Sequence, residues 1–273
     1  MGVVRQILTG DAKLILGETL CMKDELKNKG NFDKNKNAEY EINNIRKNIG
    51  SGTKNDENND TKEIFDIDKS VGRILKTDRG NVLVLNIFGE IEGHENLPGT
   101  SKATSYEKLL PVLVNAESCQ GIDGIMLLIN TLGGDVEGGL AISETVASLS
   151  KPSVSLVLGG SHSIGVPLAV SCDVSFIVPT ATVLIHPIRV SNIVLGVKQN
   201  FDYIERMQDR IIDFTCSHSK ITGGDFKRLM FNTGELTKDV GTVLVGEAAV
   251  KAGVIDMTGG TSQALKKLYD LIN

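Results

Sequence analysis

The chain has no tryptophan, and aromatic residues make up only 4 % of its 273 residues. Recognition of sugars or single-stranded nucleic acid by ring stacking suits such a composition poorly. Positive charge is not in excess either. A formal net charge of −5 argues against a protein whose main task is to grip nucleic acid. Cysteine is scarce and scattered. Cys21, Cys119, Cys172 and Cys216 form no C-x-x-C pair, and no histidine stands at zinc-ligand spacing. They read as free thiols of a reducing compartment, so a cytoplasmic location is expected, with no metal site. A signal-peptide core is missing, because Arg5, Asp11 and Lys13 interrupt the first apolar stretch. One uncharged run, Pro152 to Cys172, has the length of a membrane span. It also holds two prolines, Gly159, Gly160, Gly165, His162 and five serines, a load foreign to a lipid-facing helix. It reads as a buried strand, a turn and a buried helix.

What is present is glycine, 29 residues of it, and a hydrophobic fraction of 41 %. That suffices for a sizeable core and suits a layered fold with close backbone approaches. The apolar residues are not spread evenly. Between Asn28 and Asp60 asparagine, lysine and acidic residues dominate, with Phe32, Ile42, Ile45 and Ile49 as the main apolar exceptions. Such a segment cannot bury enough apolar area to offset the entropy of ordering it. Residues 1–70 are therefore read as a largely disordered or loosely helical extension, and 71–273 as the folded domain.

Within that domain strand and helix patterns alternate. Asn81–Glu92 is β-rich. Ser101–Glu117 is helical, and Pro111 predicts a kink or split in it. Ile125–Asn130 is a short, continuously apolar run, the mark of a strand covered on both faces. Helix Val136–Leu149, strand Val154–Leu158, helix Ile164–Ser171 and strands Val174–Val178 and Val183–His186 follow. Lys198–His218 is a long helix with an apolar stripe of Phe201, Ile204, Met207, Ile211 and Phe214, readable either as core or as an interface between copies. Asp225–Phe231, Glu247–Ala252 and Ser262–Ile272 complete the helices. This order predicts an α/β fold with a mostly parallel sheet.

In open α/β sheets, sites form beyond the carboxyl ends of the strands. Four places qualify. Asn130-Thr131-Leu132-Gly133-Gly134-Asp135 could turn N–H groups toward an oxyanion, or be a tight turn with Asp135 as helix cap. Gly159-Gly160-Ser161-His162-Ser163-Ile164-Gly165 has the setting of a nucleophile elbow. His162 adjoins Ser163 in sequence, so its side chain diverges and a packing or capping role fits it. His186, in Ile185-His186-Pro187, is a base candidate if it meets Ser163, since a hydroxyl needs a base to become a nucleophile. Asp225, Glu235, Asp239 and Asp256 are the acidic candidates that could orient that histidine. The resulting order, Ser then His then Asp, argues against an α/β-hydrolase, whose order is Ser, Asp, His.

These segments together resemble the proteolytic subunit of Clp proteases, ClpP, and within that family its translocation-enhancing branch. The resemblance rests on Ile129-Asn130-Thr131-Leu132-Gly133-Gly134, His162-Ser163-Ile164-Gly165-Val166, Leu184-Ile185-His186-Pro187 and the run Glu247 to Asp256, and it covers residues 81–272. It implies a fold of the ClpP/crotonase type, with repeated β-β-α units and a protruding helix after the catalytic histidine. It implies Ser163 as nucleophile, His186 as general base and then acid, and the N–H groups of Gly134 and Ile164 as the oxyanion hole. For the third member the nearest motif match is Asp239, with a two-residue shift; an ungapped count back from Asp256 falls on Gly241. The implied activity is hydrolysis of polypeptides through an acyl-enzyme, in a homo-oligomeric ring that takes substrate from an ATPase partner. Two other readings stand beside it. One is a catalytically silent scaffold on the same fold, assisting protein export. The other is a crotonase-type acyl-CoA enzyme, which would have no use for a Ser–His pair.

Overall fold

The computed structural model describes residues 65–95, 97–190, 197–234 and 240–273. The Asn-rich segment lies outside the described residues. Phe65 and Ile67, at the far end of the extension, pack partly buried against the main core.

The strands are β1 (Gly72–Thr77), β2 (Gly80–Ile91), β3 (Ala103–Thr104), β4 (Gly124–Gly134), β5 (Ser153–His162), β6 (Val174–Ile177), β7 (Thr182–Ile185), β8 (Thr242–Val245) and β9 (Met257–Thr258). The helices are α1 (Tyr106–Ser118), α2 (Val136–Ala147), α3 (Gly165–Val170), α4 (Lys198–Ser217), α5 (Gly223–Met230), α6 (Glu247–Lys251) and α7 (Thr261–Ile272). One sheet runs β1-β2-β4-β5-β6-β9, with β3 on β2 and β7 bridging β5 to β8. Among the described strands only β1–β2 and β7–β8 are antiparallel. The remaining pairs are parallel, as the alternating pattern predicts.

The central strand shows why its sequence is apolar throughout. Ile125, Leu127 and Ile129 enter the main core, and Met126 enters a second cluster on the opposite face with Val82, Leu156, Phe176 and α7 residues Leu268 and Tyr269. Both faces are covered, so polar alternation has no place in β4. Truncating such a side chain to alanine costs about 2–5 kcal/mol.

Four departures from the sequence pattern have physical causes. β1 was not predicted; as an edge strand it keeps Arg73 and Lys76 in solvent and shows little apolar periodicity. β8, paired only with β7, leaves Val243 and Val245 exposed. Helix α1 runs through Pro111 without splitting. Pro111 lies on the exposed face, where the Glu107 carbonyl it deprives of a donor can meet water. In α4, the apolar stripe is buried only toward its end, at Ile211, Ile212 and Phe214, while Phe201 is 62 % exposed.

Asp256, one of the acidic candidates, ties α6 and β9 to the sheet. Its carboxylate accepts from the Ser175 N–H (3.1 Å) and Oγ–H (2.9 Å) and pairs with the Lys220 ammonium at 3.0 Å. Burial pushes this carboxyl up, but Lys220 and the two Ser175 donors outweigh it and hold Asp256 below the ordinary carboxylate range. A depressed folded-state value gives stabilisation that is present above the unfolded pKa and lost as pH falls through the folded one. Asp256→Asn is expected to lower unfolding free energy by on the order of 1–2 kcal/mol at neutral pH. Urea titrations of both proteins should show that gap closing below pH 4 or so.

Candidate active site

Three strand ends converge on Ser163. It follows β5 directly, and His186 follows β7 directly. The two strands pair in parallel with His162 opposite Leu184, which sets Ser163 and His186 at the same edge. The Ser163 N–H donates to the Leu184 carbonyl at 2.9 Å, and its own carbonyl accepts from Val166 at 3.0 Å. Ser163 has φ +56°, unlike any other non-glycine residue described. A left-handed conformation at a serine costs about 1–2 kcal/mol and turns the side chain out of the strand-to-helix corner.

The third strand, β4, supplies the backing. It does not stop at Asn130 but continues through Gly134, with Leu132 as an extra residue that shifts the register so that Glu90 pairs with Gly133 and Ile91 with Gly134. Thr131 fixes the bend: its hydroxyl donates to the Gly89 carbonyl at 2.6 Å and accepts from the Gly133 N–H at 3.0 Å. A Cβ on Gly133 would stand 2.7 Å from the Ser163 Cβ and 2.8 Å from the His162 carbonyl. Glycine is required there by contact as well as by its φ of +95°. Asp135 caps α2, accepting from the Gly138 N–H at 2.8 Å. Its capping role is therefore compatible with the glycine turn beside Ser163, and the two readings of this segment are not exclusive.

The second glycine pair behaves differently from the sequence pattern. Gly159 and Gly160 stay inside β5 rather than forming a turn. The register slips there, from Ile129 opposite Val157 to Thr131 opposite Ser161, and the Asn130 side chain fills the gap by accepting from the Gly160 N–H at 3.0 Å. This slip moves β5 from pairing with β6 to pairing with β7.

Ser163, His186 and Gly134 line one cleft of about 390 Å³. Its floor is apolar: Val166, Ile185, Phe226 and Met230 are almost fully buried. Leu132 forms a lip and is 77 % exposed. Ile164 begins the turn into α3, and its N–H precedes the helical ladder. The His186 Nδ1 lies 2.6 Å from the Pro187 carbonyl. A carbonyl only accepts, so Nδ1 carries the proton in this contact and Nε2 is left as the acceptor. The Ser163 hydroxyl makes no hydrogen bond to another described residue.

His162 points elsewhere, to the Thr182 hydroxyl at 2.7 Å. Burial pushes its imidazole down, and the neighbouring His186 pushes it further. Of the acidic candidates, Asp225 is bound to Thr222 and Arg228 at the head of α5. Asp256 is the latch already described. Glu235 and Asp239 lie outside the described residues. Gly241, the position reached by the ungapped count, does sit against the histidine: a Cβ there would stand 2.8 Å from the His186 Cβ and 2.5 Å from the Ile185 carbonyl. No side chain fits at that place. Sequence reasoning missed Glu90, Phe226 and Met230 as cleft residues, while Leu132 stood in the candidate run Asn130 to Asp135. Glu90 alone carried a signal, a charge at the carboxyl end of an apolar strand.

Gly133→Ala is expected to lower stability by about 2–3 kcal/mol and to displace Ser163. Thermal unfolding together with the reactivity of Ser163 toward a fluorophosphonate checks this; unchanged values for both would contradict the packing described.

The Clp protease family model matches residues 91–262. A translocation-enhancing protein, TepA, from Halalkalibacterium halodurans is 50 % identical over 199 residues, covering 73 % of this chain and 78 % of that protein. The matched region holds every cleft residue named above except Glu90.

Proposed function

The chain belongs to the Clp protease family, and from that premise we propose that it is a serine endopeptidase acting on polypeptides. The observation that carries the reading is the left-handed Ser163 sharing a cleft with His186. Ser163 Oγ attacks the scissile carbonyl carbon while His186 Nε2 takes its proton. The carbonyl oxygen becomes an oxyanion, held by the N–H groups of Gly134 and Ile164. Collapse expels the amine, which takes the proton from His186, and leaves an ester on Ser163. Water, deprotonated by the same imidazole, then hydrolyses the ester. Asp239 is the proposed acid that steadies the imidazolium, and the Pro187 carbonyl contributes to ring orientation.

The apolar floor of the cleft supports an extended peptide with an aliphatic side chain inserted beside Ser163. No step calls for a metal or cofactor. We place the protein in the cytoplasm; no helix among the described residues is long and apolar enough to cross a membrane. The relative's name links that protein to translocation, and we infer a role for this chain in protein export or quality control. The uncovered start of α4, with Phe201 62 % and Tyr203 56 % exposed, supports assembly of several copies through that helix. An ATPase partner belongs to the same reading, and nucleic acid does not.

The direct test is labelling of the assembled full chain with a fluorophosphonate, read by mass spectrometry. Modification of Ser163 is expected, abolished by Ser163→Ala and by His186→Ala, and slowed at least a hundredfold by Asp239→Asn. The rate should fall on acidification, because a protonated His186 cannot accept the serine proton. An unlabelled Ser163 in an assembled sample would favour the silent-scaffold reading. Sedimentation of Phe201→Asp is expected to show smaller species than the parent protein.

A further inference from the structure

Two charged residues, Glu90 and Arg189, line the catalytic cleft. Arg189 has an interaction of its own within the chain. The Glu90 carboxylate has no ion pair and no hydrogen bond among the described residues; only its backbone is engaged, the N–H donating to the Lys102 carbonyl at 3.0 Å. It is an exposed carboxylate with no ion-pair partner among the described residues, set in the wall of a substrate cleft.

The sheet register says how far that carboxylate stands from the nucleophile. Glu90 is paired with Gly133, whose backbone lies against Ser163, and Glu90 and Ser163 line the same cleft. Glu90 thus enters the cleft from β2, one strand further out than Gly133. Strands lie about 4.8 Å apart and an extended peptide advances about 3.3 Å per residue. A carboxylate so placed reaches the side chain of a substrate residue within about two positions of the scissile bond.

We propose that Glu90 is a specificity determinant that selects a lysine or arginine side chain in the polypeptide substrate, close to the bond cleaved. The proposal rests on the peptidase reading for its location, but charge selection can be measured without catalysis. The cation forms an ion pair with Glu90 at the rim while an apolar neighbour enters the floor lined by Phe226 and Met230. Because Glu90 is exposed, the pair is screened and its effect is modest, about fivefold at low ionic strength.

The test uses full-length assembled protein and internally quenched peptides with both termini blocked, identical except for Lys, Gln or Glu at one scanned position. Blocking the termini separates a side-chain cation from a free N-terminal amine. In the parent protein, kcat/KM for the best Lys peptide is expected to exceed that of its Gln counterpart about fivefold, shrinking in 1 M salt. In Glu90→Gln the ratio falls to about one, and in Glu90→Lys it inverts in favour of the Glu peptide. A Lys-to-Gln ratio equal in the parent protein and Glu90→Gln would overturn the proposal. A second arm measures anisotropy of the same fluorescent peptides on Ser163→Ala with and without Glu90→Gln. If nothing is cleaved but Lys peptides bind more tightly only when Glu90 is present, the peptidase reading fails and charge selection stands. If binding shows no such preference, charge selection fails whatever the cleavage result.

Discussion

The contact on which the site depends is the one between the backbone at Gly133 and the side chain of Ser163. Two parallel strands end there at a separation that a single Cβ would forbid. Around it the chain uses small residues throughout. Gly139 in α2 admits the Ile164 side chain, which would stand 2.3 Å from a Cβ there, and Gly165 admits the Thr131 methyl. Ser161, fully buried, donates to the Gly165 carbonyl at 2.6 Å and holds the start of α3. The left-handed Ser163 costs about 1–2 kcal/mol, which this network of contacts and two backbone hydrogen bonds offsets.

The chemistry follows from the geometry. Pairing of β5 with β7 brings Ser163 and His186 to one edge, and the slip at Gly159–Gly160 is what makes that pairing available. The Pro187 carbonyl sets the imidazole tautomer that leaves Nε2 able to accept a proton. Gly241 presses on the histidine from behind and leaves no room for a carboxylate of its own. Asp239, two residues earlier, is the proposed third member because it is the nearest match to the family's acid motif. Burial pushes the His162 imidazole below its ordinary range, and the neighbouring His186 pushes it further, which disfavours two imidazolium charges side by side.

Much of this could be read from the residues alone. The unbroken apolar run of β4 declared a strand covered on both faces. The Gly-Gly turn, the serine before a helix and the histidine after a strand stood in the order of the Clp protease family, to which the chain belongs. What could not be read has a physical reason. β1 and β8 are edge strands, and their half-solvated sides carry no clear period. The slip at Gly159–Gly160 depends on a side chain from another strand, Asn130, so no local pattern announces it. The cleft wall draws Phe226 and Met230 from α5 and Glu90 from β2, far apart in sequence. The segment Asn130 to Asp135 could be read as an oxyanion turn or as a capped tight turn; the hydrogen bond from the Gly138 N–H shows Asp135 as the cap, and the glycines beside it stand against Ser163 all the same.

The most direct test of the central claim is a crystal structure of the assembled chain after reaction with a peptide boronic acid. The account predicts boron bonded to Ser163 Oγ, one boronate oxygen against the N–H groups of Gly134 and Ile164, and the first side chain of the peptide in the pocket floored by Phe226 and Met230. An unmodified Ser163 with the inhibitor absent from the cleft, under conditions where it saturates an active Clp peptidase, would contradict it.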